Sequence, residues 1–273
     1  DLIALTAFFL LLSVALNKSL SLSPYAPAAY ALFIASAALL FLSTGLLNIW
    51  ATASDPVLDL ALDKVGQFLH VVPVILVLTL VYRPLVALVA PVSQKQALSS
   101  GASPQQRSNK RLDPLILAAR DDLKSIFITP GNLKAGLLFG GLSFLIWAIL
   151  AYLVQAGASG FPELSAAAIF YILVWVFANS IMEELWFRAI FMKKYQALVG
   201  RAATILVTSI VFGVSHVNAT YEFPGGDIVF GVVVFFLGVT GAYSMFKTDS
   251  LLGAVLFHAG YDLMIIVPVL NSA

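Results

Sequence analysis

Three short motifs in the second half of the chain place ionisable side chains on helix faces. Each motif joins two residues four positions apart, and residues with that spacing share one face of a helix. The runs around them are apolar enough for a membrane, where each charge costs about 2.5–3.5 kcal/mol on insertion scales, so a functional site is the default hypothesis. The motifs are Glu183-Glu184-x-x-x-Arg188, Phe212-x-x-x-His216 and His258-x-x-x-Asp262.

The two adjacent glutamates are predicted to have different partners. Glu184 and Arg188 form an i,i+4 pair with the acid first, which is the favourable order. Glu183 points about 100° away on the helix and needs another partner. A hairpin turn at Gly200 leaves Glu183 17 residues before the turn and His216 16 residues after it. At about 1.5 Å per residue both lie roughly 25 Å from the turn, so antiparallel helices bring them together.

Four side chains are therefore expected to converge on a polar cavity inside a helix bundle. Glu183 and His216 come from the two arms of the hairpin, and His258 and Asp262 share a face of the last apolar segment. Asn179 precedes Glu183 by one helical turn and is expected to join them.

This set of side chains allows two routes to amide hydrolysis. In the first, Glu183 beside His216 activates a water as general base, and His258 with Asp262 holds the developing oxyanion. Asp262 can donate a hydrogen bond only if it is protonated, and otherwise it orients His258. In the second, Glu183, His216 and His258 are the ligands of a catalytic zinc with an open position for water. A serine nucleophile is less supported, because Ser215 points about 100° away from His216.

The composition is that of an integral membrane protein. Of the 273 residues 60% are hydrophobic and 11% are charged, whereas about 25% are charged in soluble domains. The absence of cysteine excludes disulfides, thiolate metal sites and a cysteine nucleophile. The sequence has no basic cluster of the kind that would indicate a nucleic-acid partner. The expected partners are membrane lipids and a membrane-associated protein or peptide substrate, with a membrane protein complex as a further alternative.

The hydropathy pattern predicts an all-α fold, a polytopic membrane helix bundle with about eight transmembrane helices. A spanning helix needs about 20 apolar residues, and the first segment is the shortest of the eight. His70 falls at the outer edge of the third segment without an acidic partner in register, and it is expected to be a packing residue. The predicted spans are 2–16, 27–50, 68–90, 133–154, 164–186, 202–217, 228–246 and 251–269.

The long connection after the third span predicts a linker and one short amphipathic helix. Residues 93–110 are rich in Ser, Gln, Gly and Asn, which is typical of a flexible linker. Asp113-Pro114 is an N-cap followed by proline at the first helical position, and apolar residues at helical spacing follow it. This helix lies on the membrane surface or, as an equal alternative, packs on the bundle. The expected regions are a three-helix module (1–92), a cytoplasmic linker with the amphipathic helix (93–132) and a membrane domain with the motifs (133–273).

The distribution of Lys and Arg among the predicted connections indicates an orientation. Cytoplasmic loops carry the excess of both residues, and here every second connection is basic, including the long one. This pattern predicts both termini on the non-cytoplasmic side, with Lys64 as the one basic residue on the wrong side. We expect a bacterial cytoplasmic membrane, with a chloroplast membrane as the alternative.

At these motifs the sequence resembles the CPBP family of intramembrane proteases, also called the Abi family. The family includes the type II CAAX prenyl endopeptidases and bacteriocin-processing or self-immunity proteins. Its pattern is Glu-Glu-x-x-x-Arg, then Phe-x-x-x-His, then His-x-x-x-Asn or Asp, and all three motifs occur here in that order. The resemblance covers about residues 135–273. The third motif ends in Asp262, where the prenyl-protease branch has Asn.

The resemblance implies an intramembrane endopeptidase in which Glu183 with His216 activates water and His258 with Asp262 holds the oxyanion. No metal is expected, and zinc bound by Glu183, His216 and His258 stays the alternative. Two further classes stay open: a non-proteolytic scaffold, chaperone or assembly factor on the same fold, and a transporter that uses the buried carboxylates as a proton relay. The expected supporting residues are Glu184, Arg188, Asn179 and Phe212.

Overall fold

The structure, a computed structural model, describes residues 1–19, 21–46, 53–89, 114–159, 165–217 and 226–270. Within these ranges every regular element is helical, which confirms the predicted all-α fold. In chain order the helices are α1 (Leu2–Lys18), a 3-10 helix (Ser23–Tyr25), α2 (Ala26–Ser43), α3 (Pro56–Val89), α4 (Pro114–Ser125), α5 (Leu133–Ser159), α6 (Ala166–Glu183), a π-helix (Glu184–Ala189), α7 (Ile190–Ser215), α8 (Asp227–Thr248) and α9 (Leu252–Leu270).

Five segments of the described chain are long and apolar enough to cross a membrane. One of them, Ala166–Ser215, contains two of the predicted spans because it runs from α6 through α7. The shorter apolar helices Leu2–Lys18 and Leu252–Val267 correspond to the first and last predicted spans. The polytopic helix bundle is therefore confirmed. The other four long segments are Ser23–Ser43, Pro56–Tyr82, Leu133–Gly157 and Asp227–Thr248.

The hairpin that brings α7 back beside the π-helix turns at Gly200, where the sequence predicted it. Gly200 has φ 80° and ψ 167°, a non-helical conformation inside α7. Glycine adopts positive φ without the steric cost that a Cβ adds. The residues after Gly200 therefore return along the bundle, and His216, the C-cap of α7, comes back to the level of Glu183.

Helix α3 begins at Pro56, whereas the hydropathy pattern predicted residue 68. The Asp55 carboxylate accepts hydrogen bonds from the backbone N–H groups of Val57 at 2.9 Å and Leu58 at 3.0 Å. Asp55 and Pro56 are thus an N-cap followed by proline at the first helical position. A hydropathy criterion missed this start because Asp59, Asp63 and Lys64 lie in the first turns.

The earlier start of α3 corrects the predicted location of His70. This residue lies well inside α3 rather than at the edge of the span, and it is fully buried. Its Nδ1 donates to the carbonyl oxygen of Gly66 at 2.7 Å, and its ring centre lies 5.2 Å from that of Phe41. These contacts agree with a packing role.

The C-terminal end of α4 packs on protein. Ile126 and Phe127, which follow α4, are buried. Lys193 of α7 donates from Nζ to the carbonyl oxygen of Lys124 at 2.7 Å. The backbone N–H of Leu251 donates to the carbonyl oxygen of Phe127 at 3.0 Å, which ties this segment to the start of α9.

One hydrophobic core joins the first helices to the helices that carry the motifs. Ile34 of α2 and Ile75 of α3 belong to the same buried cluster as Met182 of α6 and Met245 of α8. The division of the chain into three regions stays a prediction, because residues 90–113, with the predicted linker, lie outside the described ranges.

Helix α9 packs closely along α5 on one side and against α6 and α8 on others. A Cβ on Gly140 of α5 would lie 2.8 Å from the carbonyl oxygen of Gly253, so the two backbones can approach only because Gly140 has no side chain. This packing surrounds α9 with helices, and its His258 and Asp262 are both buried.

Candidate active site

The first motif spans a change of helix type. Glu183 is the last residue of α6, and Glu184 is the first residue of the π-helix that ends at Ala189. Single π-turns inside helices recur at functional sites, since the extra residue redirects the side chains around it. Glu183, Glu184 and Arg188 are all buried.

Glu184 and Arg188 form the ion pair that the sequence predicted. Arg188 donates to Glu184 through Nε, 2.5 Å from Oε2, and through Nη2 to Oε1. Both side chains are fully buried, and the guanidinium carbon lies 4.1 Å from the centre of the Phe212 ring. Phe212, the aromatic residue of the second motif, thus covers one face of the arginine, which favours a cation–π contact.

Glu184 also holds a histidine, a contact that the sequence did not predict. His258 donates from Nδ1 to Glu184 Oε1 at 2.9 Å. One buried carboxylate therefore accepts hydrogen bonds from Arg188 of the π-helix and from His258 of α9. The bond to Nδ1 leaves Nε2 of His258 on the side of Glu183 and Asp262.

Glu183 faces the two histidines of the motifs. Its Oε2 lies 3.7 Å from His216 Nε2 and 3.6 Å from His258 Nε2. Both separations exceed the usual N–H···O range of about 2.7–3.2 Å, and Oε2 is buried without a hydrogen-bond partner among the described residues. A buried polar atom of this kind is normally satisfied by protein or by an ordered water.

His216 is oriented by its own helix. Its Nδ1 donates to the carbonyl oxygen of Phe212 at 2.8 Å, which directs Nε2 toward Glu183. Ser215 Oγ also donates to that carbonyl, at 2.8 Å. The serine hydroxyl is therefore bound to the backbone on the Nδ1 side of the ring, away from the Nε2 that faces Glu183.

Asp262 is held by Asn179 across two helices. Asn179 donates from Nδ2 to Asp262 Oδ2 at 3.0 Å, so Asn179 joins the site through Asp262. The other oxygen, Oδ1, lies 3.5 Å from His258 Nε2. His258 thus has Glu184 on its Nδ1 side and both Glu183 and Asp262 on its Nε2 side.

Surface exposure separates the polar side chains into two groups. Glu183 and His216 keep 12% and 13% of their side-chain surface exposed. His258 keeps 2%, and Glu184 and Arg188 keep none. Glu183 and His216 are therefore the more accessible pair, and His258, Glu184 and Arg188 are enclosed by the bundle.

Gly241 is a part of the site that sequence analysis missed. A Cβ at this position of α8 would lie 3.2 Å and 3.3 Å from the two carboxylate oxygens of Glu184 and 3.5 Å from Arg188 Nε. Nothing local in the sequence distinguishes this glycine from Gly238, one turn earlier, so only the packing of α8 on the π-helix reveals it.

The side chains of the described site do not have the arrangement that a metal ion needs. The sequence predicted Glu183, His216 and His258 as a ligand set. In the structure each of the two histidines has a hydrogen-bond partner on its Nδ1, as metal-bound histidines usually do. No group of three or more His, Asp or Glu side chains in the described ranges has the geometry to hold a metal. We therefore derive no step through a metal.

Comparison with known families agrees with the motifs. Residues 165–264 match the family model described as type II CAAX prenyl endopeptidase Rce1-like. No match was found among curated proteins or among solved structures. The match spans α6 to most of α9 and includes all three motifs, so the predicted resemblance is confirmed. Together with the apolar helices it indicates an integral membrane protein and supports a protease activity on peptide substrates.

Proposed function

We propose that this protein is an intramembrane endopeptidase in which Glu183, assisted by His216, activates a water molecule. The substrate is a membrane-associated peptide or protein tail. His258 stabilises the oxyanion, with Asp262 behind it, and the pair of Glu184 and Arg188 keeps the site in place.

One observation carries the proposal: a buried carboxylate oxygen, without a hydrogen-bond partner in the described part of the chain, lies 3.6–3.7 Å from two imidazole nitrogens. Glu183 Oε2 is that oxygen, and the nitrogens are Nε2 of His216 and His258. A buried polar atom without a hydrogen bond is costly, so such atoms are normally satisfied by protein or ordered water. A water at this point would touch the general base and both histidines.

The first step adds this water to the scissile carbonyl. Glu183 accepts one proton from the water, and His216 Nε2 accepts the hydrogen bond of the second O–H. The water oxygen bonds to the carbonyl carbon, and the carbonyl oxygen becomes an oxyanion. His258 donates from Nε2 to this oxyanion while its Nδ1 stays bound to Glu184. The carboxylates of Glu184 and Asp262 balance the charge of the histidine.

The second step breaks the peptide bond. The oxyanion re-forms the carbonyl, the C–N bond cleaves, and the proton taken up by Glu183 passes to the departing nitrogen. The products are a new carboxyl group and a new amine, and Glu183 returns to its ionised form. No atom beyond the substrate and one water is consumed.

The proposal is tested with protein in liposomes and a library of peptides anchored to the same membrane. The library includes tails with a farnesylated cysteine fourth from the C-terminus, the C-a-a-X arrangement, and the same tails without the lipid. Mass spectrometry detects the fragments. We expect wild type to cut at least one tail and Glu183→Gln to cut none.

The matched control is Asp227→Asn, which neutralises an exposed carboxylate at the start of α8 that belongs to none of the three motifs. This variant should cut as wild type does. Equal cleavage by Glu183→Gln and wild type would disprove the role of Glu183.

A further inference from the structure

A polar cavity of about 480 Å³ lies at the end of the bundle where the α7 hairpin turns and α8 passes into α9. It takes no part in the proposed mechanism, because none of its lining residues belongs to the three motifs. Its volume falls within the range of about 300–1,000 Å³ that is typical of small-ligand sites. Helix α7 contributes four of the lining residues, Lys193, Gln196, Ala197 and Arg201.

The opposite walls of this cavity hold two residues in an uncommon backbone conformation. Phe127 has φ 60° and Asp249 has φ 51°, and these two are the residues other than glycine with positive φ in the described ranges. This conformation is unfavourable for a bulky side chain, and such residues cluster at ligand-binding and active sites. Phe127 is buried, and its carbonyl oxygen accepts the N–H of Leu251 at 3.0 Å. The fold therefore fixes the walls of the cavity.

One cation of the cavity has no counter-charge. Lys193 is neutralised, because its Nζ donates to Asp249 Oδ1 at 2.5 Å. Arg201 belongs to none of the ion pairs in the described part of the chain. It is exposed, so a ligand can reach its N–H groups. The lining residues thus carry two positive charges and one negative charge, a net charge of +1.

The free donors of this cavity match an anion with several oxygens. A guanidinium presents parallel N–H donors that fit two oxygens of a phosphate or a carboxylate. The guanidinium carbon of Arg201 lies 4.9 Å from the centre of the Phe246 ring, so the group is already partly ordered before it binds. Gln196 lines the same cavity, and its amide can donate a further hydrogen bond.

The location of the cavity indicates the source of the anion. Helix α7 turns at Gly200 and α8 ends at Thr248, so the cavity lies at one end of the membrane bundle. Val199 and Leu206, near the turn, expose 53% and 50% of their surfaces, as lipid-facing residues do. The basic residues of this connection also predict the cytoplasmic side, where basic pockets between helices bind anionic headgroups. We propose that this cavity binds the phosphate of an anionic lipid headgroup, with Arg201 as its main ligand.

This inference does not depend on protease activity, so it is tested by binding. Purified protein in a neutral detergent is titrated with phosphatidylglycerol, with phosphatidylcholine or with inorganic phosphate. Native mass spectrometry counts the lipids that stay bound, and displacement of a fluorescent phosphatidylglycerol gives the affinities. Phosphatidylcholine carries the same phosphate beside a cationic group, so it measures the preference for net negative charge. Inorganic phosphate measures whether the lipid is needed.

Wild type should retain phosphatidylglycerol in preference to phosphatidylcholine, and inorganic phosphate should not displace it. Arg201→Gln should weaken the affinity for phosphatidylglycerol by about tenfold, the order expected for the loss of a charge-assisted contact. Arg201→Lys should retain part of the affinity, because it keeps the charge without the two-point geometry.

The matched control is Lys247→Gln, which removes a positive charge outside the cavity. Lys247 is exposed in the last turn of α8, and its Nζ lies 5.4 Å from the centre of the Tyr243 ring. It resembles Arg201 in being a cation beside an aromatic ring, but it does not line the cavity. This variant should bind phosphatidylglycerol as wild type does.

A second variant keeps every charge and changes only the space. Ala197 lines the cavity and is exposed, so Ala197→Trp should fold and obstruct the cavity. Its affinity for phosphatidylglycerol should fall, while its unfolding midpoint without lipid should equal that of wild type. Unchanged affinity in this variant would contradict binding inside the cavity.

Three further results would overturn the inference. The first is equal retention of phosphatidylglycerol and phosphatidylcholine by wild type, which needs no variant. The second is an equal loss of affinity in Arg201→Gln and Lys247→Gln, which would indicate diffuse surface charge. The third is efficient displacement of the lipid by inorganic phosphate, which would assign the cavity to a soluble phosphate compound.

Discussion

Glu184 Oε1 accepts a hydrogen bond of 2.9 Å from His258 Nδ1, so a residue of the π-helix fixes the imidazole of α9. The same carboxylate is bound by Arg188 through both of its oxygens. The glutamate that the mechanism does not use chemically is therefore the one that connects the parts of the site. Its loss and the loss of Glu183 should have different consequences.

Glu184→Gln is expected to destabilise the protein as well as inactivate it. The substitution leaves the fully buried Arg188 without a counter-charge, and an unpaired charge of this kind costs about 3–5 kcal/mol. The midpoint of thermal unfolding in detergent should fall clearly below that of wild type. Glu183→Gln is the matched comparison, because Oε2 of Glu183 has no hydrogen-bond partner in the described ranges to lose. Equal midpoints for the two variants would contradict the structural role of Glu184.

Arg188→Lys should behave as a severe substitution despite the conserved charge. A lysine cannot reproduce the two-point contact with Glu184 or the planar packing on Phe212, whose ring centre is 4.1 Å from the guanidinium carbon. We expect lower stability and a loss of cleavage through a misplaced His258. Lys247→Arg, at an exposed position of α8, is the control and should be neutral. Wild-type cleavage by Arg188→Lys would show that the two-point contact is dispensable.

Gly241→Ala should disturb the site although it adds a single methyl group. The new Cβ would lie 3.2–3.3 Å from a carboxylate that Arg188 and His258 hold on both sides, so the carboxylate cannot move away. Overpacking of this kind costs about 1–3 kcal/mol. Thermal unfolding measures the loss.

Gly141→Ala is the counterpart, because its Cβ would have no neighbour within 4 Å. Alanine in that helix position should be neutral or stabilising by up to about 1 kcal/mol. The packing argument fails if both alanines shift the unfolding midpoint in the same direction by the same amount.

His216→Ala and Ser215→Ala separate the general-base mechanism from a serine nucleophile. Removing His216 should lower kcat by about 10²–10⁴-fold, the usual contribution of such a group. Ser215→Ala should keep most of the activity, since its hydroxyl is bound to the carbonyl oxygen of Phe212. The kcat of each variant is measured with a peptide tail that the wild type cleaves. If Ser215→Ala were as inactive as His216→Ala, the result would favour a mechanism with a serine nucleophile.

Chelation tests the remaining alternative of a catalytic zinc. We expect dialysis against EDTA to leave kcat/KM unchanged, because the proposal assigns water activation to Glu183. A zinc enzyme would lose activity and regain it on addition of zinc. Loss of activity with EDTA and its recovery with zinc would mean that Glu183, His216 and His258 bind zinc and do not act as proposed above.

The sequence was sufficient for whatever depends on composition and on spacing along one helix. Hydropathy predicted the membrane bundle, and i,i+4 spacing predicted the pair of Glu184 and Arg188. Distance counting from Gly200 predicted that His216 would meet Glu183, because helix rise is constant and a hairpin reverses the chain. The start of α3 was mispredicted, since the N-cap at Asp55 lies in a charged stretch.

The tertiary structure decided whatever joins helices that are distant in sequence. The bond from His258 to Glu184, the hold of Asn179 on Asp262 and the fit of Gly241 against Glu184 all depend on the rotation of one helix against another. That rotation is set by side-chain packing over the whole interface, and no local spacing encodes it. The sequence alone thus determined which residues could do chemistry, and the packing of α9, α8 and α3 around the hairpin determined which of them meet.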